Sequence, residues 1–282
     1  MIVSQVELSN SEAERLRAFE REGHDALAES YQAFLAAVTA LATDPLFDVV
    51  HLRPGTRLLD VACGPGALAA EAANRSARSV GVDLSPRMIE MAQRLYPGIE
   101  YREADVEQLP FPDRSFDAVV CAFGLGHFPR PELAVAECVR TLSPGGRIAF
   151  SWWGDPSRQR IQGIFREAIA EVGVSASLDV PQGHNAFRFS KSAEFFRLLD
   201  GAGLAEVKVT EHAATYLVPD TETLWRGGLG SLVLTGGLIR KQDRATQGSI
   251  RAAFERRAGV YRSADGLSLP IAFKIGSGQR PT

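Results

Sequence analysis

The feature that most constrains this chain is a short apolar segment that runs directly into a glycine turn, RLLDVACGPG at residues 57–66. Such a segment, followed by an alanine-rich stretch, predicts a buried strand, a tight turn and a helix. Glycines at the turn let the backbone approach a ligand, and the start of the helix directs free N–H groups towards the same place. The segment therefore predicts a sheet that binds a ligand where its first strand ends.

The same alternation of strand and helix continues along the chain. Further apolar segments of strand length lie at 79–83, 99–105, 116–123 and 145–153, with helical patterns between most of them. Strands that are apolar on both faces are typical of a parallel sheet covered by helices. We therefore expect an α/β protein of Rossmann-like type, with a doubly wound, seven-stranded, mostly parallel sheet and an inserted helical lid.

Two interruptions of this alternation divide the chain into a core and additions. Residues 1–45 are predicted to form an N-terminal helical cover, within a helical stretch over 11–42 that Gly23 is expected to break. The expected core comprises 46–153, 191–212 and 268–276, the expected acceptor-binding lid comprises 154–190 and 213–267, and residues 277–282 form a tail.

Composition and charge narrow the expected partners. A formal net charge of −3 gives no reason to expect nucleic acid. No apolar run approaches the roughly 20 residues that a membrane-spanning helix needs, and the charged N-terminus is not typical of a secretory signal. Cys63, Cys121 and Cys138 lack zinc-site spacing, so we expect reduced thiols, a cytoplasmic protein and no metal. The sequence leaves open whether the chain is a monomer or a homodimer.

Two aspartates at successive strand ends bear on which ligand suits the turn. Asp83 closes the second strand about 20 residues after the glycines, where a carboxylate can bind ribose hydroxyls. Asp60 precedes the turn, where its charge would repel the pyrophosphate of a dinucleotide. It would attract the ammonium and sulfonium groups of S-adenosylmethionine. The alternative is that Asp60 only caps a helix or bonds a loop.

A third acid completes the pattern, because Asp105 ends the third strand and apolar Val106 follows it. The pair suits the amino edge and the face of an adenine ring. The segments LLDVACGPG, GVDLSPRMIEMA, ADVEQLPFPDRSFDAVVCAF and ECVRTLSPGGRIAFSWW resemble, in order, the motifs of class I S-adenosylmethionine-dependent methyltransferases. They are most similar to the ubiquinone/menaquinone-biosynthesis type of small-molecule methyltransferase, and SAEFFRLLDGAGLAEVKV continues the likeness.

The resemblance implies that S-adenosyl-L-methionine is bound and S-adenosyl-L-homocysteine released. Asp60 and the glycines would hold the methionyl part, Asp83 the ribose, Asp105 the adenine edge, and Phe123 the floor beside the sulfonium. The residues it assigns to the cofactor are Tyr31, Asp60, Ala62, Gly64, Gly66, Asp83, Leu84, Met88, Asp105, Val106, Ala122 and Phe123. One departure is His24, where relatives often have tryptophan.

Methyl transfer depends mainly on alignment and on exclusion of water, and a general base adds to it when the acceptor must lose a proton. His127, in the loop after the fourth strand, is the best candidate for that base. The alternative is that it packs against or caps the next helix. His24, His184 and His212 lie in segments that could fold over the pocket, but each is expected to be a surface or loop residue.

The lid segments suggest the kind of acceptor, because they contain aromatic residues such as Phe165, Tyr216 and Trp225. These suit a small hydrophobic or planar molecule, or else they form the core of the lid itself. The choice among C-, N- and O-methylation stays open. Two rival functions also remain: a protein of this fold that binds S-adenosylmethionine but catalyses another reaction, and a less favoured nicotinamide-dependent oxidoreductase.

Overall fold

The computed structural model describes residues 8–174, 181, 183, 185 and 187–282, and its centre is one large sheet. The strands of the described chain are β1 (Arg57–Val61), β2 (Arg78–Asp83), β3 (Glu100–Glu103), β4 (Phe116–Ala122), β5 (Leu142–Trp153), β6 (Ala205–Val218), β7 (Arg262–Ser263) and β8 (Gly266–Gln279). Seven of them follow the order β3-β2-β1-β4-β5-β8-β6, and the two-residue β7 pairs with β8.

The predicted doubly wound, mostly parallel sheet is confirmed. β1 runs parallel to β2 and β4, and the parallel pairing extends to β3 and β5, whereas β8 is antiparallel to β5 and β6. Residues 58–61 of β1 are at most 1% exposed, so both faces of this strand are covered. Because the strand order reverses at β1, the carboxyl ends of β1, β2 and β4 frame a cleft.

Helices cover the sheet and extend beyond it. They are α1 (Asn10–Ser30), α2 (Ala36–Thr39), α3 (Thr43–Val49), α4 (Ala67–Asn74), α5 (Pro86–Leu95), α6 (Pro131–Thr141), α7 (Arg160–Val172), α8 (Ser192–Gly201), α9 (Thr221–Ser231), α10 (Val233–Arg240) and α11 (Arg244–Gly259). α4 packs on β1 and β2, α5 on β2 and β3, and α6 and α8 on β5 and β8 respectively. Within the described ranges, no helix combines the length and apolarity that crossing a membrane requires.

The N-terminal helix differs from the expectation drawn from the sequence. α1 starts at a capping box formed by Ser9 and Glu12 and continues through Gly23, so the predicted break at Gly23 is wrong. A Cβ at residue 23 would lie 2.4 Å from Val233 Cγ1, and glycine is therefore used here for close packing of α1 on α10. The helix changes instead at Tyr31–Leu35, a turn of π-helix, which is a conformation frequent at functional sites.

The second half of the sheet is longer than predicted. β6 continues to Val218 and β8 to Gln279, so parts of the expected lid and tail belong to the sheet. Between these strands, α9, α10 and α11 pack with α7 into what we call the helical layer. Phe165, Trp225 and Phe254 stack within it, with ring centroids 4.5 to 5.5 Å apart.

Candidate active site

A cavity of about 920 Å³, counted with its open mouth, lies at the carboxyl ends of β1, β2 and β4 and is closed on one side by α1. His127 lines it, together with most residues predicted for the cofactor: Tyr31, Ala62, Gly64, Asp83, Leu84, Met88, Asp105, Val106, Ala122 and Phe123. Asp60 lines an adjoining cavity of about 450 Å³, which shares Tyr31, Thr39, Ala62, Gly64 and Ala122 with the first. Gly66 lines neither of these two cavities.

The turn after β1 is held in left-handed backbone conformations. φ is 54° at Ala62, 52° at Gly64 and 86° at Gly66, and such a value is uncommon for a residue with a side chain. A Cβ on Gly66 would lie 2.5 Å from the Tyr101 hydroxyl, which donates a hydrogen bond to the Gly66 carbonyl. Gly66 therefore shapes the turn and begins α4, whereas Gly64 faces the ligand space.

Asp83 ties the glycine turn to the end of β2. Its carboxylate accepts hydrogen bonds from Gly64 N at 2.8 Å and Ser85 N at 2.9 Å. Burial raises the pKa of Asp83, against the lowering effect of these two N–H donors. Each oxygen keeps a lone pair for a further donor, so the side chain can accept two ribose hydroxyls without breaking the turn.

Asp60 lies beneath the turn and is 1% exposed. Its Oδ2 accepts a hydrogen bond from Ala69 N at 3.1 Å, so Asp60 caps the first turn of α4. This contact does not test whether Asp60 also binds a ligand's ammonium group, which stays a prediction. Burial raises the pKa of Asp60 well above its usual range, and the nearby Asp83 carboxylate adds to the effect. A cation beside Asp60 would lower the free-energy cost of ionising this buried carboxyl. The ammonium group of a ligand is such a cation.

Asp105 and Val106 follow β3, as the sequence indicates, but Asp105 is already engaged. One of its oxygens accepts from Glu107 N at 2.9 Å, and the other lies 2.6 Å from Arg17 Nε of α1. Arg17 also contacts Glu107 at 2.9 Å. Val106 is 8% exposed and offers an apolar surface to the cavity.

The remaining predicted residues form apolar walls. Met88 is buried and lines the cavity near Leu84. Phe123 has a φ of 60° and stacks on Trp153 with ring centroids 3.9 Å apart, while its N–H donates to Ser151 Oγ at 3.1 Å. Tyr31 lines both cavities, and burial raises its pKa to about 12, so its hydroxyl is neutral there.

His127 lies in a 3₁₀ turn (Leu125–His127) just after β4. Its Nδ1 is 3.0 Å from Glu20 Oε2, and its ring packs edge-on against Trp152 and His24. Burial acts to lower the pKa of His127, but the Glu20 carboxylate outweighs it and the pKa is raised. His127 is therefore paired with a buried acid from α1 within the cavity wall.

The positions of the other candidate histidines, His24, His212 and His184, were also predicted from the sequence. His24 lines the cavity, so its prediction as a surface or loop residue is wrong. His212 lies on β6, stacks on Phe273 and does not line the cavity. His184 falls outside the described residues. Phe165 and Trp225 are buried within the helical layer, as the alternative for the lid aromatics expected.

Sequence reasoning missed the contribution of α1 to this site. Arg17, Glu20 and Arg21 line the cavity from one face of the helix, together with His24. Arg21 pairs with Glu103 at 2.7 Å, as Arg17 does with Asp105. The available signal was Glu20, an acid at a position that the helical pattern places on the buried face.

Comparison with known proteins agrees with this geometry. A family model described as a methyltransferase domain matches residues 59–150. The chain is 35% identical over 192 residues to a demethylmenaquinone methyltransferase of Beutenbergia cavernae, an alignment that covers 68% of this chain and 74% of that protein. The chain belongs to the class I S-adenosylmethionine-dependent methyltransferase family.

Other methyltransferases extend the comparison. A ubiquinone biosynthesis O-methyltransferase of Idiomarina loihiensis is 35% identical over 173 residues, covering 59% of this chain and 66% of that protein. The chain spans about half the length of several other curated relatives that it matches. A structure of Haemonchus contortus phosphoethanolamine N-methyltransferase 2 with S-adenosyl-L-methionine gives a TM-score of 0.58 at 16% identity, covering 95% of this chain and 60% of that one. This last likeness shows a shared methyltransferase fold.

Proposed function

We propose that this protein transfers a methyl group from S-adenosyl-L-methionine to a small hydrophobic or planar organic acceptor. The observation that carries the proposal is a pair of carboxylates, the buried Asp60 and the half-buried Asp83, on either side of one glycine turn. A pyrophosphate placed there would meet two like charges, whereas an ammonium and a sulfonium would be attracted. This argues against a nicotinamide dinucleotide.

The described residues fit S-adenosyl-L-methionine in chemistry. The cavity combines apolar walls with a few polar groups, as small-molecule sites do. Asp83 offers lone pairs to a ribose, and Val106, Leu84 and Met88 offer an apolar site for adenine. Asp60 and Gly64 lie where the amino-acid tail would extend into the adjoining cavity. The bound group would supply a methyl carbon activated by a positive sulfur, so the protein's own task is alignment and exclusion of water.

The acceptor class rests on the apolar wall beside the expected sulfonium position. Phe123, Phe128 and Trp153 line this wall, and flat aromatic surfaces favour planar ligands. Relatives named as demethylmenaquinone and ubiquinone-biosynthesis methyltransferases support an acceptor of this kind. The three cysteines are free thiols, as is usual in the reducing cytoplasm, where we expect the reaction to occur.

His127 is our candidate for the general base, and its substitution tests the proposed function. With methyl-labelled S-adenosyl-L-methionine, wild-type protein should label a planar acceptor, and His127→Ala should lower turnover about 10²–10⁴-fold. Cofactor affinity, measured by calorimetry, should change little. His212→Ala is the matched control, because that histidine lies away from the cavity and should retain full turnover. Tight cofactor binding without transfer to any acceptor would contradict the proposal.

A further inference from the structure

The contact between α1 and the turn after β4 carries an inference that rests on the proposed function and deepens it. We propose that Glu20 and His127 form an acid–base dyad that removes the proton from an acidic ring hydroxyl, so that the acceptor is of the phenol or enol class. The contact joins residues 107 positions apart in the sequence. It forms only when α1 is docked on the sheet.

The geometry fixes which imidazole nitrogen does which task. Glu20 is 5% exposed, and its Oε2 lies 3.0 Å from His127 Nδ1. Since a carboxylate only accepts hydrogen bonds, Nδ1 carries the hydrogen, and the lone pair of neutral His127 is on Nε2. Among the described residues no hydrogen bond to Nε2 is recorded, and His127 borders the cavity beside Ala122 and Phe123. Glu20 therefore orients the imidazole of His127, as a hydrogen-bonded third group orients the base in other catalytic arrangements.

The turn that bears His127 is packed so that the imidazole stays in place. A Cβ on Gly126 would lie 2.0 Å from the Trp152 ring, and a Cβ on Gly124 would lie 2.6 Å from Ala62 Cβ. His127 N donates to the Gly124 carbonyl at 2.9 Å. These close contacts fix how the turn packs against β5. The hydrogen bond to Glu20 then fixes the orientation of the His127 imidazole.

The charged groups around His127 come from two elements. Glu20 and His24 reach it from α1, and Asp83 acts on it from the end of β2. Arg17 and Arg21 line the same cavity but pair with Asp105 and Glu103. The two carboxylates stabilise the imidazolium that forms when a proton is taken up, and they raise the pKa of His127 despite its burial.

The proton and electron balance of the proposed step is complete. The acceptor O–H proton goes to His127 Nε2, and the oxygen's electron pair forms the bond to the methyl carbon. The bond between that carbon and sulfur breaks, and its electron pair stays on sulfur, which becomes neutral. The imidazolium held by Glu20 then releases its proton to solvent, which restores the dyad. An acceptor that is already ionised would not need this step.

Glu20→Gln tests the dyad because glutamine keeps an oxygen near Nδ1 but removes the charge. Histidine ¹⁵N NMR on the whole chain, with His127 assigned by its loss in His127→Gln, should show the hydrogen on Nδ1 in wild type. In Glu20→Gln the pKa of His127 should fall by about 1 unit or more. Glu22→Gln, an exposed acid on the same helix, is the matched control and should match wild type. An unchanged pKa in Glu20→Gln would overturn the dyad.

A panel of substituted phenols, from 4-methoxyphenol to 4-nitrophenol, tests the acceptor class. Glu20→Gln should lower kcat about 10- to 100-fold with the least acidic phenol and have little effect with 4-nitrophenol, which ionises by itself. Equal losses across the panel would overturn the base role. If wild type labels planar acceptors that lack a ring hydroxyl but none of the phenols, the phenol class is overturned and the proposed function stands. The NMR measurement decides separately whether Glu20 controls His127.

Zinc titration separates the dyad from a metal site, because Glu20, His24 and His127 each offer a ligand atom within 4.8 Å of the others. Zn²⁺ added to chelator-treated protein should leave the His127 resonances unmoved at micromolar concentration. Movement that His24→Gln abolishes, accompanied by metal-dependent turnover, would overturn the dyad in favour of a metal centre.

Discussion

The two walls of the cavity are built by different means. The strand wall, formed by the turn after β1 and by Asp83, is held by hydrogen bonds from backbone N–H groups to the Asp83 carboxylate and follows the buried strand β1. The helix wall, formed by α1, contacts the sheet through the buried acid Glu20 and, further out, through ion pairs whose side chains are partly exposed. Arg17 and Asp105 are 21% and 27% exposed, and Arg21 and Glu103 are 45% and 46% exposed.

This difference assigns the walls different tasks. Buried backbone hydrogen bonds fix a geometry, whereas exposed ion pairs contribute little and are screened by salt. The strand wall therefore keeps the binding site in a fixed shape. We expect the helix wall to be the part that opens to admit a ligand. Substitutions in the two walls should have effects of different kind and size.

Gly66→Ala should have the largest effect, because it damages the strand wall in two ways. The residue has φ of 86°, and a Cβ would lie 2.5 Å from Tyr101 Oη and 2.9 Å from Ala92 Cβ. We expect a loss of about 3 kcal/mol in the free energy of unfolding, measured by urea titration. Gly203→Ala, with φ of 76° and open space around it, should lose only about 1 kcal/mol. Equal losses would show that contact with Tyr101 contributes nothing.

Asp83→Ala should weaken S-adenosyl-L-methionine binding by about 1–3 kcal/mol, because charged hydrogen bonds to the ribose and to the turn are lost. Calorimetry measures the change. Asp113→Ala removes an exposed aspartate that pairs with Arg140 and should bind the ligand as wild type does. Unchanged affinity in Asp83→Ala would mean that the ribose lies elsewhere.

Asp60→Asn should separate binding from stability. Loss of the charge should lower ligand affinity about tenfold. The same change should raise the unfolding free energy of the free protein at neutral pH, because burial raises the pKa of Asp60 and disfavours its ionised form. This gain should be absent below 3.8, the ordinary pKa of an aspartate, where wild type is protonated in both states. It should grow as the pH rises through the higher folded pKa.

Urea titrations of both proteins across this range check the sign. A stability gain that increases towards low pH would contradict the assignment.

Arg17→Gln should have the smallest effect, because Arg17 and Asp105 are partly exposed and the buried Glu107 keeps its ion pair with Arg130. We expect a loss of less than about 1 kcal/mol in the free energy of unfolding, reduced further at high salt. Stopped-flow binding should show faster association of the ligand, since Asp105 is released from its ion pair. A large loss of stability would mean that α1 is part of the fixed wall.

The strand wall was predictable from the sequence because its signals are local. Each acid comes at or just beyond the end of a strand, and the glycines lie between a strand and its helix. The helix wall was not predictable in the same way, since Glu20 and His127 are 107 residues apart and no short pattern joins them. At Gly23 the low helix propensity of glycine was a misleading signal, because packing against Val233 outweighs it.

Val233 of α10 packs directly against Gly23 of α1. This contact joins the helix that closes the cavity to the helical layer. Lifting either helix alone would leave a void between them, so the two are expected to move as one unit. Entry of the methyl donor and entry of its acceptor would then share a single gate. Steady-state kinetics should consequently follow a compulsory order of addition, with competitive product inhibition confined to one of the two substrates.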